Sequence, residues 1–149
     1  MGYRSEVVLA VSKDLMPHFL TVLAKEPEVR TLVFKQHDTL NEDWDGEGTF
    51  LVAWKEIKWY PNRGPIAAIE GFIEACEDNL IKGFDTEDQG DHMRFVRLGE
   101  DNDDYQEKGT FHDWDIFMNR TLSYAMRPSS HSVLGLDKRG GTWYNGGRD

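Results

Sequence analysis

Cysteine is almost missing from this chain. Cys76 stands alone among 149 residues, which excludes an intrachain disulfide and with it the stapled architecture of many small secreted domains. Membrane-length apolar runs are missing too. VVLAV at residues 7–11 is far short of the roughly 20 residues a bilayer requires, and Ser12, Lys13 and Asp14 follow it at once. The opening MGYRSE completes neither a secretion signal nor a clean myristoylation signal, so the expected compartment is the cytoplasm. Positive charge is scarce: 17 Lys and Arg face 27 Asp and Glu, for a formal charge of −10. Such a net anion is repelled by nucleic acid and by anionic membrane, so neither is an expected direct partner.

Recognisable catalytic patterns are also lacking. There is no G-x-S-x-G turn, and His18, His37, His92, His112 and His131 show no paired ligand spacing. His112 with Asp113 and Asp115 is the nearest approach to a cluster, though alternating acids suit an exposed strand face equally well. Gly140-Gly141 has no helix after it and makes no phosphate loop. Two stretches imitate the first half of a calcium loop, Asn41-Asp43-Asp45-Gly46 and Asp85-Glu87-Gln89-Gly90. Each has Val (Val52, Val96) where the bidentate Glu belongs. Cys76 falls on the apolar face of a helix, where an inert thiol is expected. No metal and no cofactor are therefore expected, and an enzyme is the least favoured reading.

What is present is enough apolar and aromatic material for one ordinary domain: 39% hydrophobic residues, with eight Phe, five Trp and five Tyr. The central stretch TFLVAWKEIKWYPNRGPIAAIEGFI, residues 49–73, reads as a strand and then a helix opened by Pro65. Around it the pattern predicts a first strand over 6–11 and a helix from about residue 14, capped by Ser12 or Asp14 and ended by Pro27. Further strands are predicted over 30–35, 49–59 and 93–98, a second helix over 65–79, and a fifth strand over 114–124. In the third strand Phe50, Val52 and Trp54 are expected on one face, with Leu51, Ala53, Ile57 and Trp59 on the other.

Strand, helix, strand, strand, helix, strand is the order of a ferredoxin-like split βαβ sandwich. It predicts an α+β fold whose antiparallel sheet runs 4-1-3-2, with the extra strand extending one edge and two helices on one face. The helix-free face calls for a cover, either the C-terminal segment or a second copy in a homodimer. Residues 1–124 form the expected domain and 125–149 a Gly-rich irregular tail. That tail has a net charge of +2 against −12 on the rest, and Trp143 and Tyr144 are its candidate anchors.

This topology gathers residues at two ends. One end is expected to hold Tyr3, Arg4, Lys58, Trp59, Tyr60, Arg63, Arg97, Glu100 and Asp101, a mixed basic, acidic and aromatic cluster. The other is expected to be nearly pure acid, with Glu42, Asp43, Asp45, Glu47, Asp85, Glu87, Asp88 and Asp91. Three blocks, GYRSEVVLAV, EIKWYPN and FVRLGEDNDDYQEKG, resemble a family of small uncharacterised bacteriophage- or prophage-encoded proteins. The resemblance covers roughly residues 2–122 and leaves out the tail. It implies an accessory protein acting inside a bacterium and carries no chemistry with it. The leading expectation is a non-catalytic module that engages a host protein, with counter-defence as a conceivable role. The alternatives are a nucleotide-binding protein and a phage structural or assembly component. In the nucleotide reading Arg4, Lys58, Arg63 and Arg97 meet phosphates while Trp59 or Tyr60 stacks on the base.

Overall fold

The computed structural model describes residues 3–101 and 103–117. Its elements are β1 (Ser5–Val11), α1 (Met16–Lys25), α2 (Pro27–Phe34), β2 (Thr39–Asn41), β3 (Phe50–Ile57), α3 (Gly64–Glu77), a short 3-10 helix (Gln89–His92), β4 (Met93–Leu98) and β5 (Tyr105–Lys108). The fold is α+β. The five strands form one open sheet in the order β2-β3-β1-β4-β5, every neighbouring pair antiparallel.

β1 lies at the centre because both of its faces are apolar. Val7, Leu9 and Val11 enter the larger core beneath the helices, and Val8 and Ala10 enter a smaller core on the opposite face. The larger core takes Leu15, Phe19 and Leu23 from the α1 region, and Val29, Leu32 and Val33 from α2. Ile66, Ile69, Phe72, Ile73 and Cys76 join it from α3. All of these recur at helical spacing.

Residues 30–35 are not the strand their β-branched content suggests. Pro27 does end α1, but with its fixed φ it also starts α2 as that helix's first residue. The spacing of Val29, Leu32 and Val33 then decides the element. Arg30 adds a reason for α2 to sit there: its Nη1 donates to the carbonyl oxygens of Leu23 and Ala24, at 2.8 and 3.0 Å, near the C-terminus of α1. The second strand is instead β2, in a stretch where no element is predicted, so three α-helices rather than two cover the face among the described residues. At the start of α1, Ser12 Oγ accepts from the Leu15 amide at 3.1 Å, while Asp14 caps nothing and stays exposed.

Trp59 and Ile57 are on the face opposite to the one expected. β1 pairs Ser5 with Ile57 and Val7 with Trp54, so β3 carries one residue more than β1 across that step. The resulting bulge reverses the alternation. Ile57 and Trp59 therefore join Trp54 on the helix side.

The helix-free face is covered by the chain itself. Val8, Ala10, Leu51, Ala53, Val96 and Leu98 pack with the fully buried Ile116, and Trp44 and Phe111 close over them. Arg94 anchors this strap: its Nε donates to the Ile116 carbonyl at 2.8 Å and its Nη1 to that of Gly109 at 2.9 Å. Its Nη2 meets Glu107 at 2.7 Å. A homodimer through this face would first have to displace the strap. The strap is turn rather than strand through residue 115, so the fifth strand expected over 114–124 is not there in its described part. Residues 118–124 and the tail over 125–149 lie outside the described residues. The actual edge strand, β5, falls between the predicted fourth and fifth strands, where no element is predicted. The chain leaves it through Gly109, whose φ of +78° and closeness to the Met93 carbonyl leave no room for a Cβ.

Candidate functional site

Antiparallel pairing brings the start of β1, the end of β3 and the end of β4 to one rim. Several residues expected to form a surface there are internal to the fold. Tyr3 Oη donates to Asp104 Oδ2 at 2.7 Å and accepts from the Asp101 amide at 3.0 Å. That amide donation favours the phenolate. The Asp104 bond, desolvation, and the charges of Asp104 and Asp101 outweigh it, and the hydroxyl titrates above its ordinary value. Arg97 is enclosed by its own neighbours: Asp104 Oδ1 at 2.6 Å, Gln106 Oε1 at 2.8 Å and Ser5 Oγ at 3.1 Å. The Arg4 amide donates to Glu100 Oε2 at 2.7 Å. Gly99 leaves room for the Tyr3–Asp104 pair, since a Cβ there would push aside the Asp104 carboxylate and the Tyr3 hydroxyl. Arg-Leu-Gly-Glu-Asp at 97–101 is thus a construction motif that ties the chain start to the β4–β5 turn.

Trp59 is buried, not displayed. Its Nε1 donates to Glu70 Oε2 at 2.7 Å, and its ring centroid lies 5.6 Å from that of Trp54 and 5.8 Å from that of Phe95. What this rim does offer to solvent is Arg4, Lys58, Tyr60, Arg63, Glu100 and Asp101, with the Arg63 guanidinium 5.6 Å from the centre of the Tyr60 ring.

The opposite rim gathers the end of β1, the loop before β3 and the loop before β4, as their pairing requires. Here an open groove of about 900 Å3 runs between residues 12–14 and residues 43–49, completed by His92, Phe111 and His112. Its acids are largely engaged in shaping their own loop. Asn41 Oδ1 accepts from the Asp43 amide and Asp43 Oδ1 from the Gly48 amide, at 2.9 and 2.7 Å. Asp45 accepts from the Glu47 amide at 2.8 Å, from Thr49 Oγ1 at 2.6 Å and from His112 Nε2 at 2.9 Å. Desolvation alone would raise the Asp45 pKa. The bonds from Thr49, Glu47 and His112 prevail and hold this carboxyl below its ordinary value. An ionised carboxylate only accepts, so His112 carries its proton on Nε2. The 3-10 helix uses its acids in the same way: Asp88 accepts from the Gly90 amide at 3.1 Å, and Asp91 accepts from Thr110 Oγ1.

This rim is therefore not the nearly pure acid expected, because Lys13, His92 and His112 share it. His112 is paired with Asp45 and lies 3.6 Å from Asp115, while Asp113 is exposed on a turn, not a strand. Ser12 Oγ is 3.0 Å from His92 Nδ1, and the His92 ring packs edge-on against Phe84, with centroids 5.0 Å apart. Because the hydroxyl also accepts from Leu15, this pair reads as the clamp that starts α1. Glu42, Glu47, Asp85 and Glu87 remain exposed, and no described partner binds their carboxylates. Cys76 is buried in the larger core, and desolvation followed by the Glu77 charge pushes its thiol up to about 12, so it stays protonated and unreactive.

Sequence reasoning missed Asp104, Glu70 and the Asp45–His112 link, since 67 residues separate the last pair and no spacing rule connects them. Among the described residues no group of three or more His, Cys, Asp and Glu is placed to hold a metal ion, and no helix is long and apolar enough to cross a membrane. No family model, no curated protein and no solved structure matches the chain.

Proposed function

We propose that this chain is a non-catalytic binding module, encoded by a phage or prophage, that engages a basic surface on a host protein inside the bacterium. Its architecture reads as ferredoxin-like, with an extra helix in the first half: β1-α1-α2-β2 and β3-α3-β4 share one antiparallel sheet, with β5 added at the edge. The observation that carries the functional reading is the division of labour in the acidic rim. Asp43, Asp45, Asp88 and Asp91 hold the loops from within, and Glu42, Glu47, Asp85 and Glu87 face solvent on the frame so built. Carboxylates carried on a loop frame ordered in advance steer a cationic partner, and little loop freedom is lost on contact.

The nucleotide reading has less to work with, since Arg97 and Trp59 are committed to internal contacts. The test uses the quadruple variant Glu42→Gln, Glu47→Gln, Asp85→Asn, Glu87→Gln, which spares the loop-forming acids. In a capture from bacterial lysate it should retain much less partner than the parent at low salt and differ little at high salt. Equal capture at both salts removes the acidic-rim reading. A rise in melting temperature with one nucleotide would put the other rim in its place.

A further inference from the structure

We infer that Trp114 is the anchor of the partner site, placed to stack on an arginine side chain of the bound segment; this rests on the acidic-rim reading above and specifies its partner. Trp114 is 88% exposed, more than any other large apolar side chain described, whereas Trp54 and Trp59 are 2% and 4% exposed. An exposed aromatic on a loose loop would mean little, but this one sits on a fixed turn. The Asp115 and Ile116 amides both donate to the His112 carbonyl, at 3.0 and 2.9 Å, and the His112 backbone takes a φ of +54°. The His112 ring is tied to Asp45, the Ile116 carbonyl to Arg94, and the Ile116 side chain is fully buried. The turn is thus pinned on both sides of an indole that touches solvent almost all round.

Its sequence neighbours, Asp113 and Asp115, are acids, and Phe111 and His112 just before it line the groove of the acidic rim, so the turn that carries the indole starts from that surface. An exposed indole with an acid on either side in sequence suits a guanidinium better than an ammonium. The planar group stacks on the ring and still offers N–H donors to the acids, while a lysine does one or the other.

The probes are acetylated, amidated hexa-arginine and hexa-lysine peptides, titrated calorimetrically into the full chain. Hexa-arginine should bind tighter, and Trp114→Ala should weaken it about two- to fivefold while barely changing hexa-lysine. Trp114→Phe should keep part of the preference. Because the side chain is exposed, the melting temperature should stay put, which separates lost contact from lost fold. An arginine-to-lysine ratio unchanged in Trp114→Ala overturns the inference. If the quadruple rim variant then still loses both peptides, the acidic-rim reading survives alone. If it binds both like the parent, that reading falls as well.

Discussion

Asp45 shows how one side chain can set a loop and tie two distant segments together. It accepts from two amides of its own loop, from the Thr49 hydroxyl and from His112 across the groove. Its pKa in the fold lies below the ordinary carboxyl value, so the stabilisation it provides is complete above that value and is lost as pH falls through the folded pKa. Asp45→Asn should destabilise the protein by about 1–3 kcal/mol at pH 7, from hydrogen bonds lost or left unmatched. Urea titrations of both proteins should show the gap closing as pH drops below about 4, the usual carboxyl range. A gap that stays constant down to acid pH would mean that charge at this position is irrelevant. None of this was legible beforehand. A run of acids in a polar loop looks the same whether its members face water or their own amides, and the Tyr3–Asp104 and Asp45–His112 contacts join residues 101 and 67 positions apart.

At the scale of elements, legibility followed burial. β1 and α3 were readable because each buries a continuous or strictly periodic apolar set. α2 was misread because Thr31, Val33 and Phe34 favour strands, while packing of Val29, Leu32 and Val33 on the sheet selected the helix. The disagreement has an experimental sign. Thr31 is exposed, and its hydroxyl bonds back to the Pro27 carbonyl within the helix. Thr31→Ala should therefore stabilise the protein by a few tenths of a kcal/mol, up to about 0.7, in chemical denaturation. A strand at this site would give a loss instead. β5 could not be read at all, since Tyr-Gln-Glu-Lys has no apolar alternation. Its place comes from partners on β4, with Arg97 holding Gln106 and Arg94 holding Glu107.

For the molecule as a whole, the fold class and the two rims were implied by the order of elements, whereas the cover on the helix-free face was one of two open choices. Ile116 decides how well that face is sealed, because it is fully buried among residues from β1, β3 and β4. Ile116→Ala should cost about 2–4 kcal/mol by leaving a hole that the strap cannot fill. It should also increase binding of a hydrophobic dye at temperatures below unfolding. Stability equal to the parent would show that the strap rests on the sheet without sealing it.

The bulge between Trp54 and Ile57 has a wider reach than its one residue suggests. Beyond it, inside and outside are assigned by whether the count of residues is odd or even. Dropping Lys55 or Glu56 would remove the extra residue and leave Ile57 and Trp59 on the helix side by plain alternation, whereas dropping Lys58, beyond the bulge, would turn the Trp59 indole from Glu70 toward water. A lineage that lost a single codon at the bulge would therefore keep the faces of this strand, and one that lost a codon after it would have to rebuild the rim around Trp59.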